Sequence, residues 1–171
     1  LGAKVDGKLH DLHLMDDKLI TGKEMLDSYD RHIADNEQFK LGQATRLIPL
    51  IEEATYLTIR NCRTRQCYTV LTVFTAGDII DLQETVGLLC RAAEDAPISL
   101  VIIGVGNRDF SAIEQLCLAD NKNVLRDARG IPIARDIITF VSFKQYGGKV
   151  SDVVMHALKS IPEQLVTYFT T

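Results

Sequence analysis

Three carboxylates stand where strands give way to helices: Asp78 and Asp81 follow the run Tyr68–Thr75, and Asp109 follows Ile98–Val105. Hard oxygen donors gathered at such turns would hold a divalent cation and support metal-assisted chemistry. The same residues have a plainer use. Asp81-x-x-Glu84 has the spacing of a helix N-cap with its capping glutamate, and Asp109 opens the next helical stretch. His10 and His13 suggest a metal pair, but three residues apart on a strand they point to opposite faces, so they read as surface histidines. His32 reads as a surface or partly buried helix residue. Gly104-x-Gly106 follows a strand as a dinucleotide fingerprint would. However, position 109 is Asp in place of the third glycine, so the glycines read as a tight strand-to-helix turn.

The sequence contains no Gly-x-Ser-x-Gly elbow, no Walker motif and no cysteine/histidine zinc pattern. Of the four cysteines, Cys90 and Cys117 lie in helical patterns as small hydrophobes. Cys62 and Cys67 flank a loop. A disulfide between them is conceivable, and free thiols are the expectation for an intracellular protein.

The elements that position these residues follow from apolar periodicity. Tyr68–Thr75 carries no charge and is rich in β-branched residues, which predicts a strand buried on both faces. A helix from Asp81 to about Ala93 follows, then a second buried strand over Ile98–Val105, a helix over Asp109–Leu118 and a third strand over Ile137–Val141. Upstream, Leu9–Leu14 suggests a short strand. Thr21–Phe39 reads as a helix opened by a Thr21/Glu24 capping box, and Thr45–Ile59 as a helix with Pro49 in its first turn. Arg60, Arg63 and Arg65 come near its end, as a solvated loop. Lys149–Phe169 carries an apolar stripe that Pro162 should kink or divide. Strands alternating with helices predict an α/β, doubly wound, mostly parallel sheet. In such sheets ligands sit at the carboxyl ends of the strands, here residues 75–81 and 106–109.

Length and composition fit one soluble domain: 171 residues, 46% hydrophobic and 25% charged. A net charge of −4 argues against nucleic acid as a partner. No apolar run is long enough to span a bilayer.

The stretch Phe74-Thr75-Ala76-Gly77-Asp78-Ile79-Ile80-Asp81 through Glu84-Thr85 resembles the C-terminal domain of the copine family, a von Willebrand factor A-like fold. The likeness continues over Pro97–Phe110, Ala134–Phe143 and Ile161–Phe169, and Leu1-Gly2-Ala3-Lys4 is similar to the family's second strand. The resemblance implies a single domain over residues 1–171, a C-terminal piece of a longer protein that lacks the fold's first strand. Two strand edges would then be unpaired, to be completed by upstream chain or by strand addition from a second copy. It also implies a magnesium site at the carboxyl end of the sheet, to which Thr45 can be matched. The aspartate position of that site is Ala76, which has no ligand atom, and Asp78 stands two residues on. The expectation is a degenerate metal site with no cofactor.

The function implied is a non-catalytic protein-interaction domain of a calcium-dependent phospholipid-binding protein. It would be cytoplasmic and would reach membranes only through modules outside these residues. The partner surface would be Thr75, Ala76, Gly77, Asp78, Gly106, Asn107 and Asp109, beside Thr45. The alternatives are a copine-type domain of a RING ubiquitin ligase, which would need residues beyond these, and a metal-dependent enzyme using Asp78, Asp81 and Asp109.

Overall fold

The computed structural model describes residues 3–5, 8–10, 21–34, 39–41, 45–77, 79–117 and 125–170. In chain order the elements are β1 (Ala3–Val5), β2 (Lys8–His10), α1 (Gly22–Ala34), β3 (Phe39–Leu41), α2 (Ile48–Cys62) and β4 (Thr69–Thr75). They continue with α3 (Leu82–Asp95), β5 (Ile98–Gly104), α4 (Ser111–Cys117), β6 (Ile138–Ser142), α5 (Val150–Leu158) and α6 (Ile161–Thr170).

The strands form two sheets. β2, β1 and β3 make a small antiparallel sheet, with Lys4 opposite Leu9 and Lys40. β4, β5 and β6 are parallel in that order, with Thr69 opposite Ile98 and Leu100 opposite Ile138. Alternate residues of the parallel sheet feed two cores. On one face Leu100, Ile102 and Ile138 pack with Leu47 just before α2, Ile51 of α2, Leu89 of α3, and Ile113 and Leu116 of α4. On the other, Val101, Ile103 and Val141 meet Val153 and Ala157 of α5. Helices on both faces of a parallel sheet make the fold doubly wound α/β, as the sequence predicts.

Several predicted elements end elsewhere than expected. The Thr21 capping box is present, with Thr21 N–H donating to Glu24 Oε2 at 2.7 Å and Glu24 N–H to Thr21 Oγ1 at 3.3 Å. Its helix stops at Ala34, and Phe39 belongs to β3. The strand expected over Leu9–Leu14 is Lys8–His10, and residues 11–20 lie outside the described residues. Pro162 does divide the last helix, into α5 and α6.

β5 is buried along its whole length. β4 departs from the prediction of burial on both faces. Val73 and Thr75 are buried, whereas Val70 and Phe74 are exposed, Phe74 at 61%. The reason is position. α5 and α6 pack over β5 and β6, leaving that face of β4 uncovered. β4 is also a sheet edge among the described residues. Thr69 N–H bonds Pro97 O, and Thr75 O accepts from Val105 N–H. The alternate residues Val70, Thr72 and Phe74 therefore direct their N–H and C=O groups outward.

The loop between α2 and β4 holds a correction. Cys62 and Cys67, expected as free thiols, are joined by a disulfide, with Cα atoms 5.5 Å apart. Cys90 and Cys117 are free and partly buried on their helices, as the pattern predicts. Burial, with Asp136 and Glu114 adding to it, pushes the Cys117 thiol up to about 12.

A second tie was not visible in the pattern. Arg135, 8% exposed, donates from Nε to Ala93 O at 2.9 Å, and from Nη2 to Ala96 O and to Ile98 O, the latter at 3.1 Å. Its Nη1 donates to Tyr68 Oη, and its guanidinium lies 4.8 Å from the Tyr168 ring centroid. The cation thus caps the carbonyl end of α3 and joins it to β5, to the start of β4 and to α6.

Candidate functional site

The predicted surface is built by two turns at the carboxyl ends of β4 and β5. Val105 N–H donates to Thr75 O at 2.8 Å and sets the two turns side by side. Gly104 lets the Phe110 ring approach closely: a Cβ there would meet the ring at 3.0 Å, and the ring would have to give way. That close approach lets the chain turn into α4. Gly106 has φ +98°, a left-handed conformation that glycine adopts at little cost.

In the first turn Thr75 is buried. Its Oγ1 accepts from Gly77 N–H at 3.5 Å and lies 3.3 Å from Gly77 O, so the hydroxyl serves its own turn. Ala76 is exposed and Gly77 half-buried. Asp78 lies outside the described residues. In the second turn Gly106, Asn107, Arg108 and Asp109 are all exposed. Arg108, which the sequence reading did not single out, packs along Gly77: a Cβ there would sit 3.5 Å from Arg108 Cγ. A cation between a glycine turn and an aspartate was the one signal of it.

Thr45 joins this end of the sheet. It forms a parallel bridge with Ile79, and Ile80 N–H donates to Thr45 O at 3.0 Å. Thr45 thus lies beside Ile79 and Ile80, just past the first turn, and that turn lies beside the 105–109 turn.

Asp81 and Asp109 are each engaged at a helix start. Asp81, read as the cap of its own helix, makes no side-chain cap there. Its Oδ1 accepts from Leu47 N–H at 2.9 Å and its Oδ2 from Ile48 N–H at 3.0 Å, so it caps α2 from 34 residues away. Asp109 caps as predicted: Oδ1 accepts from Ser111 N–H at 2.9 Å and Oδ2 from Ser111 Oγ at 3.1 Å. Those bonds hold its carboxyl below the usual carboxylate range. Two of the three acids proposed for a metal-dependent enzyme therefore serve separate helix starts. No group of three metal-ligating side chains occurs among the described residues. Among the described residues, too few free oxygens meet here for a hard cation, which needs several around one point.

A cavity of about 530 Å³ lies elsewhere, between α3 and the 127–134 turn, lined by Cys90, Arg91, Asp127 and Arg129. It contains none of the predicted site residues.

A parallel sheet wrapped by helices on both faces, with exposed turns at its carboxyl end, is the architecture of a von Willebrand factor A-like domain. The copine family model matches residues 8–171, and the chain belongs to the copine family. It is 34% identical over 147 residues to Copine-E of Dictyostelium discoideum, covering 85% of this chain and 24% of that protein. It is 36% identical over 150 residues to Copine-C of the same organism, covering 85% and 26%. To Copine-B it is 36% identical over 103 residues, covering 60% and 19%. The chain thus spans about a quarter of the length of Copine-E and Copine-C. No helix among the described residues is long and apolar enough to cross a membrane.

Proposed function

We propose that this chain is the protein-interaction domain of a copine, non-catalytic and independent of a bridging metal. The observation that carries the reading is the joined pair of turns at the carboxyl end of β4 and β5. They form one surface of Ala76, Gly77, Gly106, Asn107, Arg108 and Asp109, and of the carboxylates at this end Asp81 and Asp109 are already engaged. Contacts at this surface would be made by backbone groups, Asn107 and the Arg108 cation. Calcium-dependent phospholipid binding, membrane recruitment and a cytoplasmic location belong in this reading to the whole protein. The outer edge of β4 is where a second copy would add a strand.

The test is a displayed random-peptide library panned on the chain in excess chelator. Selected peptides should bind equally well with chelator or with millimolar magnesium, manganese or calcium. They should lose at least about tenfold in affinity, about 1.4 kcal/mol, on Arg108→Glu. Peptides that bind only with metal, or that ignore Arg108→Glu, would overturn the reading. A thermal melt is the companion measurement. A bound ion at a hundredfold excess over its dissociation constant would add about 2.7 kcal/mol, and no such shift is expected.

A further inference from the structure

The Cys62–Cys67 bridge has the surroundings of a reversible switch, and we infer that it cycles between disulfide and dithiol in the folded domain. Three observations support this. First, both residues are half-buried, so a small thiol can reach the sulfurs, and the enclosed loop Arg63-Thr64-Arg65-Gln66 is wholly exposed. Second, carbonyl acceptors lie beside both sulfurs. Cys62 Sγ is 3.5 Å from Cys67 O and Cys67 Sγ 3.9 Å from Thr58 O, so the thiols that part on reduction have acceptors at hand. Third, Arg63 and Arg65 stand inside the loop and Arg60 two residues before it, all exposed. Cationic residues flanking a cysteine in the chain favour the thiolate that exchange releases.

The chemistry balances as ordinary exchange. The thiolate of a small thiol such as glutathione attacks one sulfur and forms a mixed disulfide. A second thiol displaces the remaining bond. Two electrons and two protons enter the protein, Cys62 and Cys67 leave as thiols, and the small thiols leave as their disulfide. Oxidation is the reverse. The consequence is local. The bridge ties the end of α2 to the residue before Tyr68, whose hydroxyl contacts Ser99 Oγ at 2.7 Å and whose ring meets Tyr168 and Phe169. Opening the bridge frees the arginine loop while those anchors hold.

The experiment equilibrates the chain in glutathione buffers running from fully reduced to fully oxidised, then quenches in acid, alkylates and maps peptides by mass. Cys62 and Cys67 should block and unblock as a pair, with the crossover inside the series. A bridge that survives fully reduced glutathione is a permanent staple and overturns the inference, as do two thiols left open in fully oxidised glutathione. Limited trypsinolysis on the same samples should nick Arg63 or Arg65 about fivefold faster in the reduced form. The Cys62→Ser/Cys67→Ser variant should nick at the fast rate in every buffer. Equal nicking of oxidised and reduced wild type overturns the inference without reference to the variant.

Discussion

Arg135→Met replaces a buried cation by an apolar side chain of similar length. Three carbonyls, those of Ala93, Ala96 and Ile98, then lose a charged donor in a site 8% exposed. Hydrogen bonds to charged groups contribute about 1.5–3 kcal/mol each, and a buried carbonyl left unmet costs about 1–3 kcal/mol. Removing the cation also returns its desolvation penalty, which offsets part of the loss. The stacking of the guanidinium on Tyr168 adds about 1 kcal/mol to the loss. The net expected destabilisation is about 3–4 kcal/mol, out of a total of about 5–15 kcal/mol for a domain. At about 2–4 °C per kcal/mol for this size, the midpoint should fall by about 6–16 °C. Arg135→Lys keeps the charge but cannot spread its donors over carbonyls on two elements, so it should recover less than half. The assay is urea unfolding followed by far-ultraviolet circular dichroism, with a thermal melt as the check. A loss below about 1 kcal/mol for Arg135→Met would refute the reasoning, since desolvation would then cancel the capping.

Asp81→Ala should cost about 2 kcal/mol, the upper end for a lost N-cap, because the Leu47 and Ile48 N–H groups lose their acceptor at a buried position. Asp81→Asn should rescue little, since its amide would face one N–H with another; denaturant midpoints check both. Asp127 is held below the usual carboxylate range mainly by Ile131 N–H, with Arg129 adding to it. Its contribution is therefore complete above pH about 4 and lost as pH falls through the depressed value. The Ile131 amide resonance should titrate below that ordinary value, and a midpoint at or above it would contradict the hydrogen bonds. Cys117, pushed up to about 12, should resist iodoacetamide at pH 8 in the folded chain while Cys90, raised less, reacts first. Thr72→Pro removes an outward N–H and spares the ladder to β5. If chains associate through the β4 edge, light scattering should show this variant as a monomer at concentrations where the wild type is larger.

Much of this architecture was legible because apolar spacing reports local structure. The capping box at Thr21, the break at Pro162 and the strand Ile98–Gly104 are all short-range features. β4 shows where such reading stops. A run of Val, Leu and Phe has the same pattern whether helices cover one face or both, and only the placement of α5 and α6 decides. Asp81 had the right spacing for its own helix, yet its carboxylate serves α2, a partner 34 residues upstream that no local window contains. Cys62 and Cys67 showed a spacing that permits a bridge without showing how their Cα atoms are oriented. Arg135 would ordinarily be assigned to the surface, because its burial depends on a helix end and an aromatic ring distant in the chain. At the candidate site, the glycine turns and Asp109 were found from sequence, and Arg108 emerged only when Gly77 was seen against it.

α2 is held at both ends by different chemistry. At its start the Asp81 carboxylate clamps Leu47 and Ile48 beside the exposed turns, and at its finish Cys62 is bonded to Cys67. Between them runs a 15-residue rod, about 22 Å long. Any partner that shifts the turn carrying Asp81 pushes on one end of this rod, and any thiol that opens the bridge releases the other. If the two events are linked at all, thermodynamics requires the linkage to be mutual: a partner that binds the reduced form more tightly must make the bridge easier to reduce by the same factor.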